Sequence, residues 1–307
     1  MPASVEHDVV IVGGGVAGVS CALECFDMHL DTLVLEADGR PGGQLAEIPH
    51  SVRNVATGRY ADGAELRNSL EDAAKILGTR LQATQRVQRA DLGERWVEVG
   101  DKRIRGRALV LATGTRHQYL PAAVDGAFGG DVTYMLESRP GHFSGRAVAV
   151  IGGGDSAALD ALELAQGGSD VKLVHRSEHL TARHDIVEAV RREARIEELS
   201  EWELESVDGG DRLEAVVVRR SDGTTRRLPV GGLVVKIARV PCTDAFRGQL
   251  ALDHSGAVVV DRELRTSCPG VFAAGDVVAD AYPRVAAALG QGLLAARSVL
   301  RYLQQTQ

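Results

Sequence analysis

Four of the 307 residues are cysteine, at positions 21, 25, 242 and 268, and no two of them stand in a C-x-x-C pair. The chain therefore offers no local dithiol, and with no second ligand pair it offers no zinc site. Cys21 and Cys25 lie one helical turn apart in "GVSCALECF", a spacing that suits two small core residues better than a redox or metal pair. No apolar run approaches the ~18 residues of a membrane span. Positive charge is not in excess either: Lys and Arg number 35 against 42 Asp and Glu, a net charge of -7. That balance excludes a non-specific nucleic-acid binder, which needs a basic face. The first residues, "MPASVEHDVVIVGGG", enter a strand at once, which predicts no signal peptide and a cytoplasmic protein.

What is present reads as soluble and globular, with 44% hydrophobic and 25% charged residues and length for two domains. "HDVVIVGGGVAGVSCALEC" is an apolar strand, the turn Gly13-x-Gly15-x-x-Gly18, and a helix. Such glycines permit a tight turn and close backbone approach, and the helix N-terminus attracts a pyrophosphate. The next strand, "DTLVLEA", ends at Glu36, whose carboxylate suits ribose hydroxyls and repels a 2′-phosphate. The pattern returns in "RAVAVIGGGDSAALDALELA", where a strand at 147–151 precedes Gly152, Gly154, Asp155, Ser156 and Ala157. Here the following strand ends in His175 and Arg176, cationic groups that lean towards the 2′-phosphate of NADP(H). Two such turns imply two nucleotides, most economically FAD and NADPH or NADH.

"RALVLATGTR" is a buried strand running into a turn at Gly114, and "CPGVFAAGDVVADAYPRVAAALGQGLLAARSVLRYL" repeats that logic around Gly275 before a long amphipathic helix. "RWVEVG" and "AVVVRRSDGTTRRLPV" alternate as exposed antiparallel strands. The expected architecture is α/β, with two Rossmann-like, three-layer ββα dinucleotide-binding domains, the second inserted into the first. The FAD-binding domain takes 1–118 and 246–307, and the NAD(P)H-binding domain takes 119–245.

Together "GGGVAG", the acidic strand end, "RPGGQL", "LATGT", "GGGDSA", "VHR" and "TSCPGVFAAGDVVAD" resemble the low-molecular-weight thioredoxin reductase family over essentially the whole chain. That resemblance implies FAD on the first and last segments, NADPH on the insert, and a homodimer. Gly13, Gly15, Gly18 and Glu36 would hold the adenosine half, and Gly43, Gln44, Asn54 and Gly114 would line the flavin. Gly275 and Asp276 would bind the ribityl chain, and the helix starting near Val285 would point at the ring system. On the insert, Gly152, Gly154, Asp155, Ser156, Ala157, His175, Arg176 and Arg183 would hold NAD(P)H.

Three departures bear on function. The family's redox pair, Y-C-A-T-C, aligns with "YMLES", so Met135 and Ser138 occupy the cysteine positions and neither can form a disulfide. Ser177 replaces one arginine of the nicotinamide site, which weakens preference for NADPH. Arg284 replaces a neutral amide; it either faces the flavin, favouring negative charge on the ring, or is a solvated surface residue. The closest subgroup in kind is the ferredoxin or flavodoxin–NADP reductases of thioredoxin reductase type, which imply transfer to a small electron-transfer protein. An alternative is a flavin oxidase or dehydrogenase acting on a small molecule, for which Glu137, His142 and Tyr134 are the acid–base candidates.

Overall fold

The computed structural model describes residues 5–118, 120, 128–136, 141–237 and 239–306. These form two compact units, 1–116 with 240–307 and the inserted 117–239. The chain passes between them through Thr115–His117 and Arg239–Pro241, which pair as a two-stranded ribbon. The return falls at 240 rather than at the expected 246. Cys242 N–H donates to Gly114 O at 3.0 Å, and Phe246 is fully buried in the core of the first unit.

The first unit is built on the parallel strands Leu81–Gln82, Thr32–Leu35, Val5–Val12, Lys102–Leu111 and Val271–Ala273, in that spatial order. A strand buried on both faces needs apolar residues throughout, and its alternation then sorts them to two cores. Val9 and Ile11 face helices α1 (Val16–Asp27) and the C-terminal Val285–Gln305, while Val10 and Val12 face the other way, with Leu92, Val97 and Phe246. The second layer is the antiparallel Arg89–Asp91 and Trp96–Val99, continued into Lys102–Leu111. Gly63–Ala74 (α2), capped by Asp62 Oδ1 accepting from Glu65 N–H, completes the helical side.

The inserted unit repeats the plan with the parallel strands Val132–Thr133, Gly232–Val235, Ala147–Ile151, Asp170–His175 and Ile196–Ser200. Helices α3 (Asp155–Gln166) and α4 (His184–Arg192) cover one face. Antiparallel Glu203–Gly209, Leu213–Arg219 and Thr225–Pro229 cover the other. Expected as exposed, these strands are exposed on one side only: Ala215, Val216 and Val218 are fully buried, because they close the second core. The fold is therefore two Rossmann-like three-layer units, the second inserted into the first. No helix among the described residues is long and apolar enough to cross a membrane.

The C-terminal helix, α5, lies close against α1 because Gly292 has no side chain. A Cβ there would overlap the Ala17 carbonyl oxygen, and Ser20 Oγ donates to Leu289 O at 2.9 Å across the same contact. This fixes α1, and with it the turn at its start.

Candidate functional site

In the first unit Gly13 has φ +108°, and a Cβ on it would overlap the Ala112 carbonyl. A Cβ on Gly18 would overlap Gly13 O, so strand and helix meet backbone to backbone. Gly15, by contrast, has no atom within 4 Å of its missing Cβ, and no side chain caps α1 there. The open helix start and the glycine cradle fit a dinucleotide pyrophosphate. Glu36 closes the corner. Its Oε2 accepts from Gly14 N–H at 2.6 Å and its Oε1 from Asp38 N–H at 2.7 Å. Burial raises the Glu36 carboxyl above the ordinary glutamate range, against those two hydrogen bonds.

Further candidates gather beside this turn. Gly42 N–H donates to Gly14 O at 2.8 Å, carrying Gly43 and Gln44 across it. Gln44 Nε2 donates to Asp276 Oδ2 at 3.1 Å and lies 3.3 Å from where a Gly114 Cβ would stand. Gly275, at φ +81°, donates its N–H to Gln291 Oε1 at 2.6 Å. Gln291 is a support the sequence did not single out; only its place on the C-terminal helix could have suggested it. Asn54 is exposed on the hairpin Val52–Val55 and Gly58–Tyr60, and no hydrogen bond among the described residues joins it to Gln44 or Asp276. The Arg284 guanidinium lies over the exposed Tyr282 ring, 4.9 Å from the centroid, and donates to Pro283 O. Its backbone caps α5, which begins at Val285.

In the second unit Gly152 has φ +143° and a Cβ on it would overlap the Lys236 carbonyl. Gly154 starts α3 without a side-chain cap, as Gly15 starts α1. Ala157 fits where the first unit needs glycine, and Ser156 is exposed on the first turn. Two expected cations are already committed. Arg183 is held by Asp155, Nε to Oδ2 at 3.2 Å, with its N–H on Oδ1 at 2.8 Å. His175 is buried rather than on the rim, its Nε2 3.1 Å from Glu198 Oε1. Burial against the adjoining strand, where Glu198 waits, explains the difference. Arg176 is exposed and has no ion pair among the described residues. A buried ion pair, Lys236 Nζ to Asp160 Oδ2 at 3.1 Å, ties α3 to the carbonyl beneath Gly152.

Two of the three acid–base candidates have hydrogen-bond partners within the inserted unit. Tyr134 Oη accepts from Leu120 N–H at 2.8 Å. His142 Nε2 lies 3.1 Å from Asp131 Oδ1, within a cluster that also brings Arg212 and Arg146 to the same carboxylate. Asp131 is fully buried. Burial alone would raise its carboxyl, but hydrogen bonds from Arg212, Arg146, Leu213 N–H and His142 hold it well below the ordinary range. Glu137 and Ser138 lie outside the described residues. All four cysteines carry free thiols. Cys21 and Cys25 are buried on α1, and the Cys25 side chain together with burial pushes the Cys21 thiol up. No group of three or more His, Cys, Asp or Glu able to hold a metal occurs among the described residues.

The architecture and its two turns define a two-dinucleotide oxidoreductase. The chain belongs to the pyridine nucleotide-disulphide oxidoreductase family, whose model matches residues 7–292. It is similar to the thioredoxin reductase of Listeria monocytogenes, 32% identical over 303 residues that cover 97% of this chain and 94% of that one. It is also similar to the 34.2 kDa protein in the rubredoxin operon of Clostridium pasteurianum, at 27% identity over 97% of each chain. The crystal structure of Lactococcus lactis thioredoxin reductase matches with a TM-score of 0.85 and 26% identity, covering 97% of this chain and 99% of that chain. The protein is accordingly a flavin-dependent oxidoreductase of thioredoxin reductase-like fold, with FAD and NAD(P)H as cofactors.

Proposed function

We propose that this enzyme takes electrons from NAD(P)H and delivers them from FAD directly to an acceptor other than thioredoxin, with no redox disulfide between. The observation that carries the reading is the distribution of sulfur. All four cysteines fall in the first unit, and two of them are sealed on α1. The inserted unit, where the resemblance locates a dithiol, offers Met135 instead, and a thioether is no thiolate nucleophile. Bound FAD would supply hydride acceptance and the release of electrons singly.

The residues' own part is binding and orientation. Gly13, Gly15 and Gly18 admit the pyrophosphate of FAD to the start of α1, and Glu36 accepts from its adenosine ribose. Gln44 and Asp276, joined to each other beside Gly114, orient the middle of the same molecule, and the N-terminus of the helix at Val285 favours negative charge near the ring. Gly152, Gly154, Asp155, Ser156 and Ala157 receive the pyrophosphate of NAD(P)H, with His175, Arg176 and Arg183 around the adenosine end.

A small electron-transfer protein of ferredoxin or flavodoxin type is the acceptor that fits best, and similarity to a protein of a rubredoxin operon supports that class. A second copy of the chain belongs to the same reading; Leu293 and Leu294 stand exposed along α5. Small-molecule oxidation draws less support, because Tyr134 and His142 already have structural partners. Anaerobic mixing of the yellow holoenzyme with NADH or NADPH should bleach the flavin. Oxidised ferredoxin, flavodoxin or rubredoxin should then restore the colour. Efficient reduction of thioredoxin in the same assay would overturn the reading.

A further inference from the structure

Gly43 and Gln44 lie on the stretch "RPGGQLAEI", residues 40–48, and one helix holds both of its ends. At the far end Gly63, the first residue of α2, donates its N–H to Ile48 O at 2.8 Å, and a Cβ on it would overlap the Leu45 carbonyl oxygen. One turn further along α2, Arg67 reaches back to the near end. Its Nε donates to Pro41 O at 2.7 Å and its Nη2 to Arg40 O at 3.0 Å. The arginine stem crosses Gly42 so closely that a Cβ there would stand 2.7 Å from Arg67 Cγ. The Arg67 side chain is 17% exposed, which makes bonds from a charged donor worth more than they would be in water.

The peptide unit between Pro41 and Gly42 shows what this contact controls. In a trans peptide the C=O and the N–H point to opposite sides within one plane. Here the carbonyl side is held by Arg67 and the amide side by the first glycine turn, since Gly42 N–H donates to Gly14 O at 2.8 Å. The plane is clamped between α2 and that turn, and the next two residues are the flavin candidates. Gln44 Nε2 in turn donates to Asp276 Oδ2. A guanidinium suits this place because its planar fork serves two neighbouring carbonyls at once, which an ammonium does not. The ion pairs nearby do not need it. Glu71 is already paired with Arg40, Oε2 to Nη2 at 2.6 Å, and its Oε1 lies 3.4 Å from Arg67 Nε.

We infer that Arg67 is a positioning residue for FAD: through the Pro41–Gly42 peptide it sets the place of Gly43 and Gln44 beside the flavin. The inference rests on the proposal that those two residues line FAD. Titration of apoprotein with FAD, followed by flavin fluorescence, measures the affinity, and the visible absorption spectrum of the bound flavin reports its surroundings. Gln44→Ala is the reference and should change that spectrum. Arg67→Lys keeps the charge but not the fork. It should change the spectrum in the same direction and weaken FAD binding about tenfold, the scale of one hydrogen bond from a charged group. In the double variant the two losses should not add, because both act on one contact. In Arg67→Ala, free guanidinium ion well below denaturing concentration should restore affinity and spectrum together. An Arg67→Lys protein with a lowered Tm but wild-type affinity and spectrum would make the arginine a fastening of α2 alone; that would overturn the inference and leave the role of Gln44 intact. A Gln44→Ala protein with an unchanged spectrum would overturn the proposed lining, and the inference with it.

Discussion

Glu36 and His175 occupy equivalent corners of two units with one plan, yet they are held in opposite ways. Glu36 is clamped by backbone N–H groups of its own turn, Gly14 and Asp38, and keeps acceptor capacity for a ribose. His175 is clamped from the neighbouring strand by Glu198 and has one ring nitrogen unsatisfied. The same contrast extends through each unit. Both units bring backbones close at their turns, Gly18 on Gly13 and Gly152 on the Lys236 carbonyl, but the second adds buried charge, Asp131 with two arginines and Asp160 with Lys236. Glycine contacts fail through steric overlap, and buried ion pairs fail when one partner is lost, so the units should break differently.

The largest effect belongs to the second unit. Asp131→Asn leaves Arg146 and Arg212 without their shared carboxylate and should cost roughly 3 kcal/mol. Thermal unfolding should show it as a fall in Tm of several degrees, with flavin content at neutral pH retained in the folded fraction. A shift below one degree would mean that the cluster is decoration. Next comes Gly18→Ala, which forces a methyl onto the Gly13 carbonyl and should cost about 1–3 kcal/mol, with loss of bound FAD. Ala157→Gly, the reverse change at the matching place, should cost about 1 kcal/mol or less and leave FAD in place. If both substitutions behave alike, the two turns are not packed as differently as their glycines indicate.

Acid should separate the corners from the clusters, because the two carboxyls move in opposite directions. Asp131 lies below its unfolded value of about 3.9, so its stabilisation is present above about pH 4 and is lost as pH falls further. Glu36 lies above its ordinary value, so it takes up a proton first on acidification. That proton favours the folded unit but removes an acceptor from the ribose. FAD fluorescence should therefore report release before circular dichroism reports loss of tertiary structure. In Glu36→Gln, release should lose its pH dependence. Simultaneous transitions in the wild type would contradict the opposed shifts.

The sequence made the turns and sheets legible because their signals are local: glycines at fixed spacing, apolar runs buried on two faces, and a strand end some way downstream. Gly13, Gly18, Gly152 and Glu36 sit as that pattern implies. The burial of His175 and its contact with Glu198 are not legible, because Glu198 lies on another strand with nothing in the intervening residues to announce it. Asp131 and Arg212 are a similar case, 81 residues apart. With 42 acidic and 35 basic residues, a sequence permits far too many pairings for any one to be chosen without the fold. His142 and Tyr134 looked available as acid–base groups for the same reason, since Asp131 and Leu120 N–H are partners that only tertiary structure supplies.

The smallest effect should come from the one thiol placed near a candidate flavin residue. Cys242 N–H donates to Gly114 O, and Thr113 Oγ1 donates to Cys242 O at 2.8 Å, so both anchors are backbone groups of Cys242 and survive loss of its sulfur. Cys21 and Cys25 are sealed in the core, and burial pushes the Cys268 thiol up, away from the thiolate. Cys242→Ser therefore removes the best-placed alternative to a dithiol while sparing the fold. If electrons leave the flavin directly, reduction of a one-electron acceptor should stay within about twofold of wild type, a change too small to mark loss of a chemical step. A loss of a hundredfold or more, with the Tm unchanged, would put a sulfur relay in the first unit. The contrast between a unit that holds all the thiols and one that holds none would then have to be read the other way round.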